Sequence, residues 1–260
     1  MELAAQLYTV HDYTKNLADF DATLKRISEI GYKYVQVSGT CPYSPYWLKE
    51  TLDKYGLKCI LTHTSEDVLK VAAKHIAKDH DVYDCKYVGV GGLSYFWIPE
   101  YDLTNFIKDF KENILPVAKT LKECGKYFMY HNHDYEFITD PIEGKTYIEL
   151  LAEHIPADLL GFTLDTYWAQ AGGKNPAKII RSLKGRCPVV HLKDYKVVRG
   201  EKERCHMAPC GEGALDFVEI LEACREAGVE YLAVEQDNCY GEDPFDCLER
   251  SYKYLKSLGV

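Results

Sequence analysis

Residues 123–137 read ECGKYFMYHNHDYEF, and the order of residue types in this stretch defines the unit from which the rest of the chain can be read. A helix-like segment stops at Gly125, a residue suited to the left-handed turn that follows a helix. One turn residue follows, and then an apolar run, YFMYH over 127–131, with the composition of a buried strand. Ligand-type side chains crowd the end of that strand: His131, His133, Asp134 and Glu136. The same order of helix, glycine, short turn and strand returns in EIGYKYVQV (29–37), KYGLKCIL (54–61) and EAGVEYLAV (226–234). Repeated βα units of this kind build parallel sheets.

Eight strand-like runs can be counted: 3–9, 34–39, 58–64, 86–91, 127–131, 160–165, 188–194 and 231–236. Segments with apolar residues at helical spacing lie between and after them, at 17–31, 45–56, 65–80, 104–125, 145–154, 176–185, 216–228 and 244–259. Eight such units close into a barrel, and 260 residues is an ordinary length for one. An open doubly wound sheet is the alternative, but no G-x-G-x-x-G turn opens a helix after a strand; GVGG at 89–92 runs on into LSYFWIPEYD, which is not helical in pattern. No linker or low-complexity tract divides the chain, so the expectation is one (β/α)8 TIM-barrel domain over 1–260.

Composition narrows the function classes. The net charge is −9, and no stripe of lysine or arginine suits a phosphate backbone, which argues against a nucleic-acid partner. No apolar segment approaches the roughly 20 residues that span a bilayer, and MELAAQLYTVHDY lacks the basic and apolar regions of a signal peptide. Ten scattered cysteines point to a reducing compartment, so the cytoplasm is expected, and Cys205 with Cys210 lacks the second close pair of a zinc knuckle.

In such barrels the active site forms at the C-terminal ends of the strands. Ionisable residues gather there: His63 after the third strand, His131 and His133 after the fifth, Asp165 after the sixth, His191 and Lys193 on the seventh, Glu235 and Asp237 on the eighth. Side chains alternate along a strand, so His191 shares a face with Lys193 and Glu235 shares one with Asp237, while Leu164, Leu192 and Val234 face outward. A lone histidine or aspartate at a strand end is usually a hydrogen-bonded structural residue or a helix cap. Several at successive strand ends are costly to bury without a shared task. Asp165, His191, Glu235 and a residue of the fifth strand would form a nitrogen and oxygen cluster suited to manganese, magnesium, cobalt or zinc.

From LAAQLYTVHDY through YHNHDYEF, LDTYWAQAGGKNP, VVHLKDY, GEGALDF and VEQDNCYGEDPFDCLERSYKYL, the chain resembles the xylose isomerase-like superfamily of sugar isomerases and epimerases over nearly its whole length. That resemblance implies a TIM barrel holding one divalent metal, manganese ahead of magnesium, cobalt or zinc, with one ligand from each of strands five to eight. Relatives often use Glu, Asp, His and Glu in that order. Asp165, His191 and Glu235 match the last three, whereas His131 stands where a glutamate is usual. This departure weakens the mechanism in which two opposed glutamates exchange substrate protons, and it brings the chain nearer to the inosose dehydratase-like and C-glycoside deglycosidase-like branches. His133 or Glu136 could instead supply the strand-five ligand.

The implied function is metal-dependent isomerisation or epimerisation of a sugar or keto-sugar through an enediolate; the alternative is a lyase that eliminates water or an aglycone beside a ketone. A metal on adjacent carbonyl and hydroxyl oxygens would acidify the neighbouring C–H. Glu235 or His133 would take the proton and Lys193 would stabilise a developing alkoxide or return a proton. His63, Trp168, Glu136 and Arg204 are the expected substrate contacts, with Tyr167 beside Trp168; Glu212, Gln236 and Asn238 are expected to orient the ligands. For Lys193 the bland alternative is a salt bridge to Asp194 or another acid, for His63 a core hydrogen bond, for Trp168 and Tyr167 plain packing, and for Arg204 a solvated loop. Endonucleases acting on abasic DNA share the fold, but the acidic charge argues against them, and a non-catalytic barrel would need a broken ligand set. The partner expected is a small carbohydrate, with the aromatic loops 43–47 and 94–101 available for a lid or for homo-oligomer contacts.

Overall fold

The structure, a computed structural model, describes residues 1–200 and 204–260. Among these residues ten strands follow one another: β1 (Glu2–Gln6), β2 (Tyr34–Val37), β3 (Lys58–His63), β4 (Tyr87–Val90), β5 (Tyr127–His131), β6 (Gly161–Asp165), β7 (Val189–Leu192), β8 (Asp194–Val197), β9 (Cys205–Ala208) and β10 (Tyr231–Val234). All but β8 and β9 pair in parallel, each with its neighbour in sequence, and β10 closes the ring between β7 and β1. This is the expected (β/α)8 barrel.

The helices are α1 (Leu17–Ile30), α2 (Pro45–Tyr55), α3 (Glu66–Val82), α4 (Phe106–Asn113), α5 (Leu115–Glu123), α6 (Tyr147–His154), α7 (Thr166–Ala171), α8 (Pro176–Ser182), α9 (Phe217–Ala227) and α10 (Pro244–Ser257). Their starts are chemically marked. Asn16, Ser44, Asp216 and Asp243 each accept a backbone N–H of the first turn through the side chain. α1 buries Phe20, Thr23, Leu24 and Ile27, the i, i+3, i+4, i+7 spacing of one helical face.

Alternation along the strands separates two apolar regions. Val35, Val88, Phe128, Tyr130, Phe162, Leu164, Val190, Leu192, Leu232 and Val234 point outward into the layer shared with the helices. Ala4, Leu61, Tyr87, Met129, Val189 and Ala233 point inward and fill the floor of the barrel. The outward positions expected for Leu164, Leu192 and Val234 are those observed.

Local chemistry moves several boundaries. The first strand stops at Gln6 rather than residue 9, because the Gln6 side chain accepts the N–H of Tyr8 and turns the chain into a 3-10 segment, Leu7–Tyr13. The expected helix over 104–125 is two helices. Pro116 has no N–H to give and its ring crowds the carbonyl four residues back, so the path breaks at Ile114. The seventh run ends at Leu192, and from Asp194 the chain folds into the antiparallel hairpin β8–β9, which the strand count did not contain. All ten cysteines are free. Among the described residues no helix is long and apolar enough to cross a membrane.

Candidate metal centre and its cavity

Two residues further along the same inward faces, the barrel changes character. Ala4 is followed by Gln6, Leu61 by His63, Met129 by His131, Val189 by His191 and Ala233 by Glu235, each pair on one face of its strand. Asp165 joins this layer from β6, paired in register with His191. His131, Asp165, His191 and Glu235 are all buried, and each offers one ligand atom within 4.8 Å of the others.

In each of the four, one polar atom is tied to the scaffold and the other is aimed at the shared centre. Asp165 Oδ1 accepts the N–H of Trp168, capping α7, while Oδ2 lies 3.4 Å from His131 Nε2 and 3.9 Å from His191 Nδ1. The cap and the functional role are therefore compatible in one residue. Glu235 Oε1 accepts from Gln6 Nε2 at 3.0 Å, leaving Oε2 to face inward. His191 Nε2 donates to Gln36 Oε1 at 2.8 Å, and His131 Nδ1 donates to the Gly91 carbonyl at 3.2 Å. Both partners are acceptors only, so each ring, when neutral, carries its hydrogen on the outer nitrogen and keeps a lone pair for the centre. Burial opposes a charge on His131, but its hydrogen bond to Asp165 outweighs this and raises its pKa. His191 Nδ1 and Glu235 Oε2 lie 2.8 Å apart without hydrogen-bond alignment, two buried polar atoms converging on one point. Two carboxylate oxygens and two imidazole nitrogens fit a divalent ion of the manganese-to-zinc type.

A further layer rims the cluster. Lys193 is 1% exposed, and its Nζ sits 3.0 Å from Asp165 Oδ2, 2.9 Å from Glu235 Oε2 and 3.0 Å from Asp237. Burial works against the Lys193 charge, but these three carboxylates outweigh it and hold the pKa well above that of an ordinary lysine. Burial likewise opposes the Asp165 and Glu235 charges, and Lys193 with the neighbouring histidines keeps both pKa values low. Burial lowers the pKa of His191, and that of His63 still further with help from the neighbouring histidines. His133 falls to about 3, through burial and then the nearby His131 and Lys193, so its ring is uncharged across the ordinary pH range.

Two members of the cluster, His131 and Glu235, reach the wall of a cavity of about 590 Å³ at the C-terminal mouth of the barrel, while Asp165 and His191 lie behind it. His63, His133, Trp168, Lys193, Glu235 and Asp237 line it, together with Tyr8, Ser38, Gly91, Gly92 and Trp97. His63 hydrogen-bonds Gln36 at 2.9 Å and still reaches the cavity, and the indole nitrogen of Trp168 is buried there without a hydrogen bond. Trp97, from the aromatic loop at 94–101, packs edge-on to His133 and donates to Tyr135 Oη at 2.6 Å, so this loop covers part of the mouth.

Other expected contacts fall elsewhere. Glu136 is fully buried beside the site, where it accepts from the Tyr130 hydroxyl and, at 2.7 Å, from the His133 backbone N–H; it does not line the cavity. Its role in the structure is to hold the turn that presents His133. Arg204 is exposed on the β8–β9 hairpin, outside the cavity wall, because the segment after β7 folds back on itself rather than over the mouth. Tyr167 packs against Tyr195 instead of the cavity. Glu212 pairs with Arg250, and Gln236 donates to the Asn238 carbonyl, so none of these three touches a ligand of the cluster. Asp194 does not pair with Lys193: it accepts the backbone N–H groups of Tyr195, Gly211, Gly213 and Leu215 and so shapes the loop after β9.

The residues that do support the ligands, Gln6 and Gln36, sit inside LAAQL and YVQV. An amide on the inward face of an apolar strand was the available signal. The carbonyl that holds His131 comes from GVGG. A Cβ on Gly91, just past β4, would lie 3.1 Å from His63 Nδ1, and one on Gly89 within β4 would lie 3.3 Å from His63 Cδ2, so the chain gives up side chains here to make room for the His63 ring.

A family model described as xylose isomerase-like TIM barrel matches residues 24–258. The chain belongs to the xylose isomerase-like TIM barrel family. An inosose dehydratase from Geobacillus kaustophilus is 25% identical over 292 aligned residues, covering 98% of this chain and 93% of that protein. A sugar phosphate isomerase/epimerase from Parabacteroides distasonis superposes with a TM-score of 0.80 at 21% identity, over 98% of this chain and 94% of that one. The IOLI protein, whose crystal structure holds a zinc atom, superposes with a TM-score of 0.74 at 16% identity, covering 99% and 98%. The two structural likenesses establish the barrel fold. Among the described residues of this xylose isomerase-like barrel, the buried four-residue cluster has the donor set to hold a divalent ion.

Proposed function

We propose that the protein is a divalent-metal-dependent enzyme acting on a keto-sugar or a cyclic keto-polyol, and that it eliminates water from the carbons next to the ketone. The observation that carries this reading is the unlike pair of groups at the mouth. β5 presents imidazoles where a second carboxylate would face Glu235, and opposite them stands a buried ammonium, Lys193. Epimerisation by proton exchange favours two matched groups, one for each face of the carbon. An elimination needs unlike groups, a base for the α-proton and an acid for the departing hydroxide.

His131, Asp165, His191 and Glu235 would hold the ion. When bound, a divalent ion there supplies Lewis-acid polarisation of the substrate ketone. His133 Nδ1 is buried in the cavity wall without a hydrogen-bond partner, which leaves it the group placed to take the proton α to the ketone. The C–H electron pair then forms the C=C bond as the β C–O bond breaks, and Lys193 Nζ gives a proton to the leaving oxygen, which departs as water. Proton return from His133 to Lys193 closes the cycle. Trp168 and Trp97 supply apolar faces that exclude water from the reacting carbons. The inosose dehydratase relative supports this choice.

Isomerisation or epimerisation is the second reading, favoured by Glu235, a carboxylate that lines the cavity and could carry a proton between adjacent carbons. A panel of keto-sugars and keto-cyclitols incubated with metal-loaded protein in D2O distinguishes the two. Elimination yields a product lighter by one water, with deuterium entering at the former β-carbon as its enol ketonises. Deuterium exchange with an isomeric product of unchanged mass would instead favour the second reading.

A further inference from the structure

We propose that Lys193 is a built-in competitor for the metal centre and that Asp237 is the positioning residue that holds it aside when the centre is filled. The inference rests on reading the four-residue cluster as a metal site and is independent of the reaction assigned to it. Lys193 Nζ contacts Asp165 Oδ2 and Glu235 Oε2 at 3.0 and 2.9 Å. These are the oxygens that converge with His131 Nε2 and His191 Nδ1, so the ammonium and a divalent ion call on the same two atoms. In a buried site two cations on shared oxygens repel strongly.

Asp237 is the outlet. It lies two residues past Glu235 on the same face and meets Nζ with both oxygens at 3.0 Å, yet it is not one of the four converging residues. The composition of the cluster agrees: three carboxylates, Asp165, Glu235 and Asp237, converge on a single ammonium, a surplus of acidic groups that favours a further cation. With the ion in place, Asp165 and Glu235 serve it, and Asp237 alone retains the ammonium at the cavity wall. Without the Asp237 charge, Lys193 has only the ligand carboxylates to pair with.

Calorimetric titration of metal-free protein with Mn2+ and, separately, Zn2+ at one fixed pH tests this through a double-mutant cycle. Lys193→Met is expected to bind the ion at least about ten-fold more tightly than the wild type, and Asp237→Asn about ten-fold more weakly, the lower end of what groups around a metal site contribute. In the Lys193→Met background, Asp237→Asn should lose most of its effect. Unchanged or weaker binding by Lys193→Met would overturn the proposal, as would an Asp237→Asn penalty that persists in full without the lysine. Thermal unfolding supplies a second readout. Lys193→Met should lower the melting temperature of the metal-free protein more than that of the loaded one, and equal lowering of both counts against the idea. If the wild type binds neither ion, the metal reading itself falls, a result distinct from wild-type binding that Lys193→Met leaves unimproved.

Discussion

The floor and the mouth of this barrel are built from the same strands, two residues apart, and they obey opposite rules. At the floor, Ala4, Leu61, Met129, Val189 and Ala233 are apolar and close the interior by packing. At the mouth, Gln6, His63, His131, His191 and Glu235 occupy the next inward positions and, apart from the half-buried His63, are buried almost as deeply, but each is held by a named polar partner. A strand repeats its facing direction every second residue, so one step along the face is enough to pass from a region that supplies stability to one that holds charge at a cost. The lesson is that burial alone does not identify the core. Whether a buried side chain has its polar atoms shared between scaffold and an open centre does.

The largest effect expected from breaking this contrast is at the ligands. Asp165→Ala or Glu235→Ala should abolish metal binding in calorimetry and with it reduce turnover of any accepted keto-sugar by at least ~10^2-fold, the upper end of what losing a group that merely supports the ligands costs. Asp165→Ala also removes the cap of α7, about 0.5–2 kcal/mol, but Lys193 keeps Glu235 and Asp237 as partners, so the variant should remain folded, which circular dichroism can check. Retention of both metal and full turnover by the two variants would mean the centre lies elsewhere.

A floor substitution should do the reverse. Met129→Ala is expected to cost roughly 2–5 kcal/mol of stability, the usual range for truncating a buried side chain, while metal affinity stays near that of the wild type. Urea unfolding and a metal titration on the same sample would show whether the two layers separate in this way; a matching collapse of metal affinity would show that they do not.

Glu136 sharpens the contrast through pH. Burial raises its pKa to about 7, against hydrogen bonds from Tyr130 and from the His133 backbone that favour the charged form. A folded-state pKa above the unfolded value means that the protonated carboxyl is favoured on folding. Its stabilisation is present below pH ~4.5 and is lost as pH rises to about 7, a change of at most about 3 kcal/mol at 1.36 kcal/mol per pKa unit. Glu136→Gln should remove that slope from denaturant midpoints measured between pH 4.5 and 8, and a slope unchanged by the substitution would assign it to another group.

The smallest effect is expected at the support residues. Gln36→Leu removes the acceptor of His191 Nε2 and the donor to His63. It should weaken metal binding by about 10 to 100-fold with little change in the melting temperature of the metal-free protein. An affinity unchanged by this substitution would show that packing alone fixes the His191 ring.

Much of this was legible in the residue order. The repeated helix, glycine, turn and strand unit marks four of the barrel strands and apolar runs mark the other four, and alternation within KYFMYH, VVHLKD and YLAVEQD correctly separates outward Tyr130, Leu192 and Val234 from inward His131, His191 and Glu235. Three features were not legible. The break at Ile114 depends on how one proline competes with a strong helical pattern on both sides. The β8–β9 hairpin follows directly on β7, so its residues read as strand and loop of the barrel itself. Gln6, Gln36 and Gly91 support the ligands across distances of up to 229 positions along the chain, and a linear pattern carries no information about which distant atom an amide will meet.

By itself the sequence determined the barrel, its two-faced strands and the set of ionisable residues at the strand ends, because local periodicity and glycine placement are read over a few residues. Only the tertiary structure decided which of those residues share a centre. It placed Arg204 outside, turned Glu136 into a support for His133, and set Lys193 between two ligand carboxylates and Asp237. The reason is geometric: ring closure brings β5, β6, β7 and β10 to one axis, and what their side chains do there depends on angles and partners that no single stretch of chain contains.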